Sequence, residues 1–248
     1  MKRARFGKGR SAMLFFFVLL SLPLSSALAN DKTVRVSTSY KTLLSTPEQT
    51  GMLDQIIIEA FRRIGVKAEV VFTPTERSLV QVNEGALDCE LNRIEGMETS
   101  FPNLCRVPEP NMVMHFVAFA KKPIPISGWD SLRELRVGYV SGWKILEHNT
   151  DEFPHVTRVL TPEQLFQMLE MDRLDVALYA KLTGYERLKA LGYDNIRHLD
   201  PPLASKSMFL YLNKKHKGLA APLAKALKDM KYDGTYERIV RDTTAHLR

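Results

Sequence analysis

The chain has 248 residues, a formal net charge of +7 and two cysteines. Residues 1–29 hold five of the basic residues and no acidic one, so the other 219 residues (248 minus 29) carry +2 (7 minus 5). This low charge gives little support to nucleic-acid binding, and no nucleic-acid partner is predicted. A length of 219 residues suits one large domain or two small ones.

The N-terminal segment has the layout of a secretory signal peptide. Basic residues at 2–10 precede an almost wholly apolar run at 13–24, and Ala27 and Ala29 supply the small residues of a cleavage site. A membrane anchor is the alternative, but the run is short for about 30 Å of hydrocarbon and Pro23 interrupts it. We therefore predict that residues 1–29 are removed after Ala29 and that the protein is periplasmic.

The next part of the chain alternates predicted strands with predicted helices. Strands are predicted at 34–37, 68–72, 88–92 and 114–120 from short β-prone apolar runs. Helices are predicted at 53–64 and 76–84, where Gly65 and Gly85 stand in the usual C-terminal position.

Two prolines and two lysines at 121–125 predict a linker, after which a second series begins. Its strands are predicted at 136–140, 156–160, 175–179, 196–199 and 209–212. A helix follows Ser141-Gly142, and another starts at Thr161 with Pro162 in its first turn. Two further helices are predicted at 219–230 and 235–243.

This alternation favours an α/β fold with mostly parallel sheets covered by helices. Two series separated by a proline-rich linker favour two lobes. Ligands of open α/β sheets bind beyond the carboxyl ends of the strands, so the space between the lobes is the predicted site.

Five motifs in the right order resemble the family 3 extracellular solute-binding proteins, the receptors of polar amino-acid ABC importers. They are GMLD at 51–54, VNEGALD at 82–88, LRELRVG at 132–138, RLDVA at 173–177 and MKYDGTYE at 230–237. The resemblance implies a two-lobed clamp, the type II periplasmic binding protein fold, whose chain crosses the hinge twice. It implies lobe 1 at 30–120 with 213–248, lobe 2 at 125–205, and crossings near 120–124 and 206–212.

Two departures from the family pattern bear on the ligand. Where members that bind α-amino acids carry an Arg that grips the carboxylate, this chain has Ser100. Where they carry an Asp that pairs with the amino group, it has Ala180. The resemblance therefore supports a solute-binding clamp better than a receptor for standard α-amino acids.

Three groups of residues in the first series are candidates for ligand binding. Glu90, Asn92 and Arg93 are polar residues in or just after an apolar strand, where a buried charge must pair inside the protein or meet a ligand. Thr75 and Arg77 open the helix after the second strand. Tyr40 follows the first strand, where the family stacks an aromatic ring on its ligand. The alternatives are a structural ion pair of Glu90 or Arg93, which could involve Arg77, a solvated helix start, and an ordinary surface tyrosine.

Gly142, Trp143 and Lys144 are the candidates in the second series. Free amides at the start of a helix favour an anion, Lys144 adds positive charge, and Trp143 would stack on a flat ligand. The alternative for Trp143 is ordinary helix packing.

Enzyme motifs are missing from the sequence: the histidines are scattered, and there is no HExxH spacing, nucleophile elbow or P-loop. We predict no catalytic residues, no metal and no cofactor, although Glu90 could act as an acid if the chain were a dehydratase like some relatives. Cys89 and Cys105 could form a disulfide or remain free thiols. We expect a monomer that binds a small polar, anionic solute and serves an ABC permease or, alternatively, a membrane sensor.

Overall fold

The computed structural model describes Met1 and residues 33–247, with Thr75 and Glu76 described by their backbone only. The predicted signal peptide and its cleavage site lie outside the described residues. Within 33–247, no helix is both long enough and apolar enough to cross a membrane.

Residues 33–247 form ten strands and seven α-helices. The strands are β1 (Val34–Thr38), β2 (Ala68–Phe72), β3 (Cys89–Arg93), β4 (Leu104–Arg106), β5 (Met112–Ala120), β6 (Val137–Val140), β7 (Val156–Val159), β8 (Val176–Ala180), β9 (Arg197–His198) and β10 (Ala204–Asn213). The helices are α1 (Met52–Arg63), α2 (Thr75–Glu84), α3 (Lys144–Asn149), α4 (Pro162–Glu170), α5 (Lys181–Leu191), α6 (Ala220–Tyr232) and α7 (Thr235–Thr244).

The strands form two parallel groups joined by two long antiparallel strands. The order across the sheet is β2-β1-β3-β10-β5-β8-β6-β7, with β4 on β10 and β9 on β5. β1 pairs in parallel with β2 and β3, and β6 pairs in parallel with β7 and β8. We call β1–β4 with residues 209–213 of β10 the first half-sheet, and β6–β9 with residues 116–120 of β5 the second half-sheet.

β5 and β10 pass from one half-sheet to the other. β10 pairs with β5 through Ala204–Met208 and with β3 through Phe209–Leu212. β5 pairs with β10 through Met112–Phe116 and with β8 through Phe116–Phe119. Residues 116–120 of β5 pack in the cores of the second half-sheet, so the passage occurs earlier in β5 than residue 120. The α/β fold class with two chain crossings is confirmed, whereas the lobe boundaries given above stay a prediction.

The start of α1 is fixed by one buried carboxylate. Asp54 accepts hydrogen bonds from Ser45 Oγ (2.6 Å), Thr46 N (2.9 Å) and Gly51 N (3.0 Å). Gly51 is required there because a Cβ atom would lie 2.6 Å from Ser45 Cα. These contacts hold the loop after β1 against α1, and this loop borders the carboxyl end of the first half-sheet.

The structure differs from the sequence prediction mainly around α5, which was not predicted. Gly184 lies in the middle of this helix because Phe119 packs there, and a Cβ atom would come within 2.4 Å of the Phe119 ring. Glycine has a low intrinsic helix propensity, so a glycine that is needed for packing weakened the sequence signal for this helix. The short β4 was also missed, and β10 begins five residues before the predicted 209.

The two cysteines are free thiols in the structure. Cys89 in β3 and Cys105 in β4 are both paired with Leu212 of β10, from opposite sides. Two strand spacings therefore separate them, about 9–10 Å. A disulfide needs Cα atoms less than about 7 Å apart, so the alternative of a disulfide does not hold in this conformation.

Candidate functional site

The candidate residues of the first half-sheet lie at the carboxyl ends of its parallel strands. Tyr40 follows β1, and Asn92 and Arg93 end β3. Thr75 and the exposed Arg77 are in the first turn of α2, directly after β2. Parallel strands bring these positions to one edge of the sheet, as the sequence predicted.

Glu90 and Arg93 form a buried ion pair at this edge. Arg93 Nε donates to Glu90 Oε1 over 2.9 Å, and the side chains are 19% and 2% exposed respectively. Glu90 Oε2 accepts from the hydroxyl of Ser78 in α2, which lies 2.8 Å from the hydroxyl of Ser37 in β1. Burial raises the pKa of the Glu90 carboxyl, while the charge of Arg93 and the bond from Ser78 oppose that rise.

A second polar group joins Asn92 to Tyr40. Asn92 Nδ2 donates to the Tyr40 hydroxyl oxygen over 3.2 Å and lies 3.6 Å from the Met112 sulfur in β5. Burial raises the pKa of the Tyr40 hydroxyl, so it stays a neutral donor at physiological pH. These contacts connect Tyr40, just after β1, through Asn92 in β3 to Met112 in β5. We call β5 and β10, which pass between the half-sheets, the linking strands.

Two polar atoms of this edge have no hydrogen-bond partner within the described part of the chain. They are Arg93 Nη2, a donor, and Asn92 Oδ1, an acceptor, and both atoms are buried. Leaving a buried polar group unpaired costs about 1–3 kcal/mol, and such groups are usually satisfied by water or a ligand. The edge thus offers one cationic donor and one neutral acceptor.

The second half-sheet contributes an aromatic group at the end of β6 and β8. The Trp143 ring lies 4.8 Å from the Tyr179 ring at an angle of 33°, and its centroid is 5.5 Å from Phe116 with the rings nearly perpendicular. Trp143 and Tyr179 are both half-buried. Burial raises the pKa of Tyr179 to about 12, although the nearby Arg187 charge opposes this rise. Trp143 therefore packs within the second half-sheet and also keeps part of its surface open.

The predicted anion site at the start of α3 is already engaged by the chain itself. Gly142 N donates to Glu147 Oε1 over 2.8 Å, and Lys144 Nζ pairs with Glu147 Oε2 over 2.7 Å. The Lys144 contact and the Gly142 amide bond lower the pKa of Glu147. The Gly142 amide and the Lys144 ammonium group, which were predicted to bind an anion, thus both contact the Glu147 carboxylate. Among the described residues, no contact joins them to Arg93.

A largely apolar cavity of about 370 Å³ lies beside the linking strand β5. We call it the methionine cavity. Side chains from the loop after β1, from α1, β5, α5 and α7 form most of its wall: Leu44, Met52, Met112, Met114, Leu182 and Val240. Ala180 and Lys181, where β8 meets α5, complete the wall on the side of the second half-sheet.

The structure brings together Tyr40, Glu90, Asn92 and Arg93 and places Gly142, Trp143 and Lys144 on the other half-sheet. Ser37, Ser78, Met112 and Tyr179 also belong to these groups but were not singled out in the sequence. Their signal was weak, because single Ser, Met and Tyr residues in regular elements are common. No cluster of His, Cys, Asp and Glu suited to a metal occurs in residues 33–247.

The comparisons with known proteins connect this geometry to a fold. No protein-family model matches the chain. An uncharacterized protein of Shewanella oneidensis is 26% identical over 201 residues, which cover 77% of this chain and 75% of that protein.

Three solved structures illustrate the structural likeness. The probable amino-acid ABC transporter extracellular-binding protein YtmK of Bacillus subtilis has a TM-score of 0.72 at 15% identity and covers 85% of this chain and 97% of its own. An ancestral cationic amino acid solute-binding protein has 0.70 at 18%, covering 86% and 95%. A histidine kinase sensor domain similar to periplasmic binding proteins has 0.65 at 15%, covering 85% and 95%. The chain therefore has the fold of the extracellular solute-binding proteins, as the sequence resemblance indicated.

Proposed function

We propose that this protein is a periplasmic solute-binding protein that captures a small polar, anionic solute and passes it unchanged to an ABC-type importer. The observation that carries the proposal is the buried, unpartnered Arg93 Nη2 at the carboxyl end of β3. This is the place where open α/β sheets bind their ligands.

The arrangement of the ion pair favours an anionic ligand over a cationic one. Glu90 is almost fully buried behind Arg93, whose side chain is 19% exposed. A solute that enters from solvent meets the guanidinium first. Glu90 holds Nε, so the guanidinium is oriented while a further N–H group remains for a carboxylate or phosphate oxygen.

The neighbouring groups support a solute with more than one polar function. Asn92 Oδ1 is an acceptor, and the Tyr40 hydroxyl can donate. The rings of Trp143 and Tyr179 offer a flat surface from the second half-sheet. A ligand that contacts both half-sheets would stabilise the closed conformation. In such clamps, the shift towards the closed conformation distinguishes the ligand-bound protein from the free protein.

Standard α-amino acids are not the expected ligands. Ser100 is exposed beyond a short turn and Ala180 is a buried methyl group, so neither supplies the charge that the family uses to anchor an amino acid. The structural neighbours include proteins described as binding arginine or cationic amino acids, and our proposal for this chain departs from them.

A sensory role is the second candidate, because one neighbour is a histidine kinase sensor domain with the same fold. Another neighbour is described as a precursor of cyclohexadienyl dehydratase, so we keep an enzyme as the third candidate, with Glu90 as its acid. We propose the non-enzymatic roles because the Glu90 carboxyl is engaged by Arg93 and Ser78.

The test is mass spectrometry of small molecules released from the purified protein, followed by calorimetric titration of each identified compound. The proposal expects an anion, recovered unchanged after incubation, that binds at least tenfold more weakly to Arg93→Ala. Arg62→Ala is the control, because Arg62 is an exposed residue of α1 paired with Glu59. Chemical turnover of the compound, or equal affinity for both variants, would overturn the proposal.

A further inference from the structure

The methionine cavity is a largely apolar space at the junction of the two half-sheets. Met52 and Leu44 come from the first half-sheet side, Leu182 from α5, and Met112 and Met114 from the linking strand. Met114 packs against the cores of both half-sheets. The volume of the cavity, about 370 Å³, falls in the range of small-molecule sites.

The cavity adjoins the polar edge described above. Met112 lines it, and the same Met112 sulfur lies 3.6 Å from Asn92 Nδ2. On the other side Ala180 lines the cavity and pairs with Phe116, which contacts the Trp143 ring. If the polar end of a ligand contacts Asn92 and Arg93, the rest of the ligand can therefore extend into the methionine cavity.

The largely apolar wall also includes His115, Lys181 and Thr183. His115 Nδ1 is 2.8 Å from Ser205 Oγ, and Thr183 contacts Tyr179. Lys181 is half-buried and has a long apolar stem. Thioether side chains adapt to irregular apolar shapes, so three methionines in one wall suit an apolar group.

We infer that the solute is amphipathic: beside its anionic group it carries a branched aliphatic or aromatic group that fills the methionine cavity. This inference rests on the proposed function and names the class of its ligand. The buried methyl of Ala180 is part of the selectivity, because it keeps this wall apolar and leaves room for the group.

A matched series of acids tests the inference by calorimetry or competition in thermal shift. The probes are acetate, butyrate, hexanoate and phenylacetate. Each buried methylene strengthens binding about fourfold, so hexanoate and phenylacetate should bind at least tenfold more tightly than acetate. Equal affinities across the series would overturn the inference and leave the proposed function standing.

Variants of the wall connect the effect to the cavity. Met114→Gln should weaken hexanoate binding about tenfold and leave acetate unchanged. Leu182→Gln, in α5, is the second variant in case Met114→Gln does not fold. Met171→Gln is the matched control, since Met171 is exposed at the end of α4. Full hexanoate affinity in both wall variants would contradict the inference.

Uncharged probes separate the two proposals. Hexanol and benzyl alcohol lack the anion but fit the same space. If they bind with dependence on Met114 while the acids bind no better and Arg93→Ala has no effect, the cavity is an apolar site and the anion-binding function fails. If neither acids nor alcohols bind, both proposals are overturned.

Discussion

Arg93 Nε donates to Glu90 Oε1 over 2.9 Å, and the two residues are three positions apart in and at the end of one strand. In a regular strand, residues three apart point to opposite faces, but β3 is irregular here: Glu90 pairs with Tyr211 and Arg93 with Phe209, two residues apart on β10. The extra residue in β3 brings Glu90 and Arg93 to the same face. The guanidinium consequently lies between the buried carboxylate and solvent. Both structural stability and ligand binding can therefore depend on this one pair.

The first prediction separates these two roles by a double-mutant cycle. Arg93→Ala should lower the free energy of unfolding by about 1–3 kcal/mol, because it leaves the Glu90 carboxylate buried without its ion partner. It should also weaken ligand binding about ten- to a hundredfold. Urea unfolding and calorimetry on Arg93→Ala, Glu90→Ala and the double variant measure both effects. A stability loss in each single variant that the double variant partly restores, with unchanged affinity, would show a purely structural pair.

The second prediction concerns pH and Glu90. Because the folded pKa of Glu90 is raised above its ordinary 4.5, this carboxyl contributes most to stability below about pH 4.5 and loses that contribution as the pH rises through the folded pKa. Replacing it by Gln removes the dependence. The difference in unfolding free energy between Glu90→Gln and the wild type should therefore shift in favour of the variant as the pH rises.

Glu59→Gln provides a control with the opposite sign. Hydrogen bonds from Arg62 lower the pKa of Glu59 to about 2, so its stabilising contribution is present above about pH 4.5 and is lost as the pH falls towards 2. Urea unfolding at several pH values from about 3 to 8 measures both variants. The same sign of pH dependence in both would contradict the prediction for Glu90.

Sequence patterns were sufficient for most elements in their order, apart from α5 and β4, and for the edge that holds Tyr40, Asn92 and Arg93, because local periodicity and turn residues determine them. They could not show that Ser78 of α2 binds Glu90, since that contact depends on how α2 packs across β1 and β3. The methionine cavity was also beyond sequence reasoning. Its wall combines residues from 44 to 240, and only the tertiary fold brings them together.

The third prediction tests the packing of Phe119 against Gly184 in α5. Gly184→Ala should destabilise the protein by about 1–3 kcal/mol, because its Cβ would meet the Phe119 ring at 2.4 Å in a close-packed core. Gly218→Ala is the control, as no atom lies within 4 Å of the Cβ position there. Chemical unfolding measures both. A Gly184→Ala variant as stable as the wild type would mean that Phe119 moves aside without cost.

The fourth prediction follows from the positions of the two cysteines. Cys105 is half-buried, whereas Cys89 is fully buried and its burial raises the pKa of its thiol. A thiol reagent added without reductant should react with Cys105 in the native protein and with Cys89 only after unfolding. The count of reacted thiols should thus rise from one to two on denaturation. An intact mass lower by two hydrogens, with no reactive thiol after denaturation, would instead reveal a disulfide.

The fifth prediction uses Trp143 as a reporter of the site. The chain has two tryptophans, and Trp129 begins a short 3-10 segment (Trp129–Leu132) that precedes β6 and packs against the core of the second half-sheet. Ligand binding should change the emission of Trp143, and Trp143→Phe should abolish the change while weakening affinity about two- to tenfold, the usual range for one aromatic contact. Trp129→Phe is the matched control and should keep both the response and the affinity. If the response instead disappears with Trp129, the ligand does not contact the Trp143 and Tyr179 rings, and the second half-sheet must contribute through other groups.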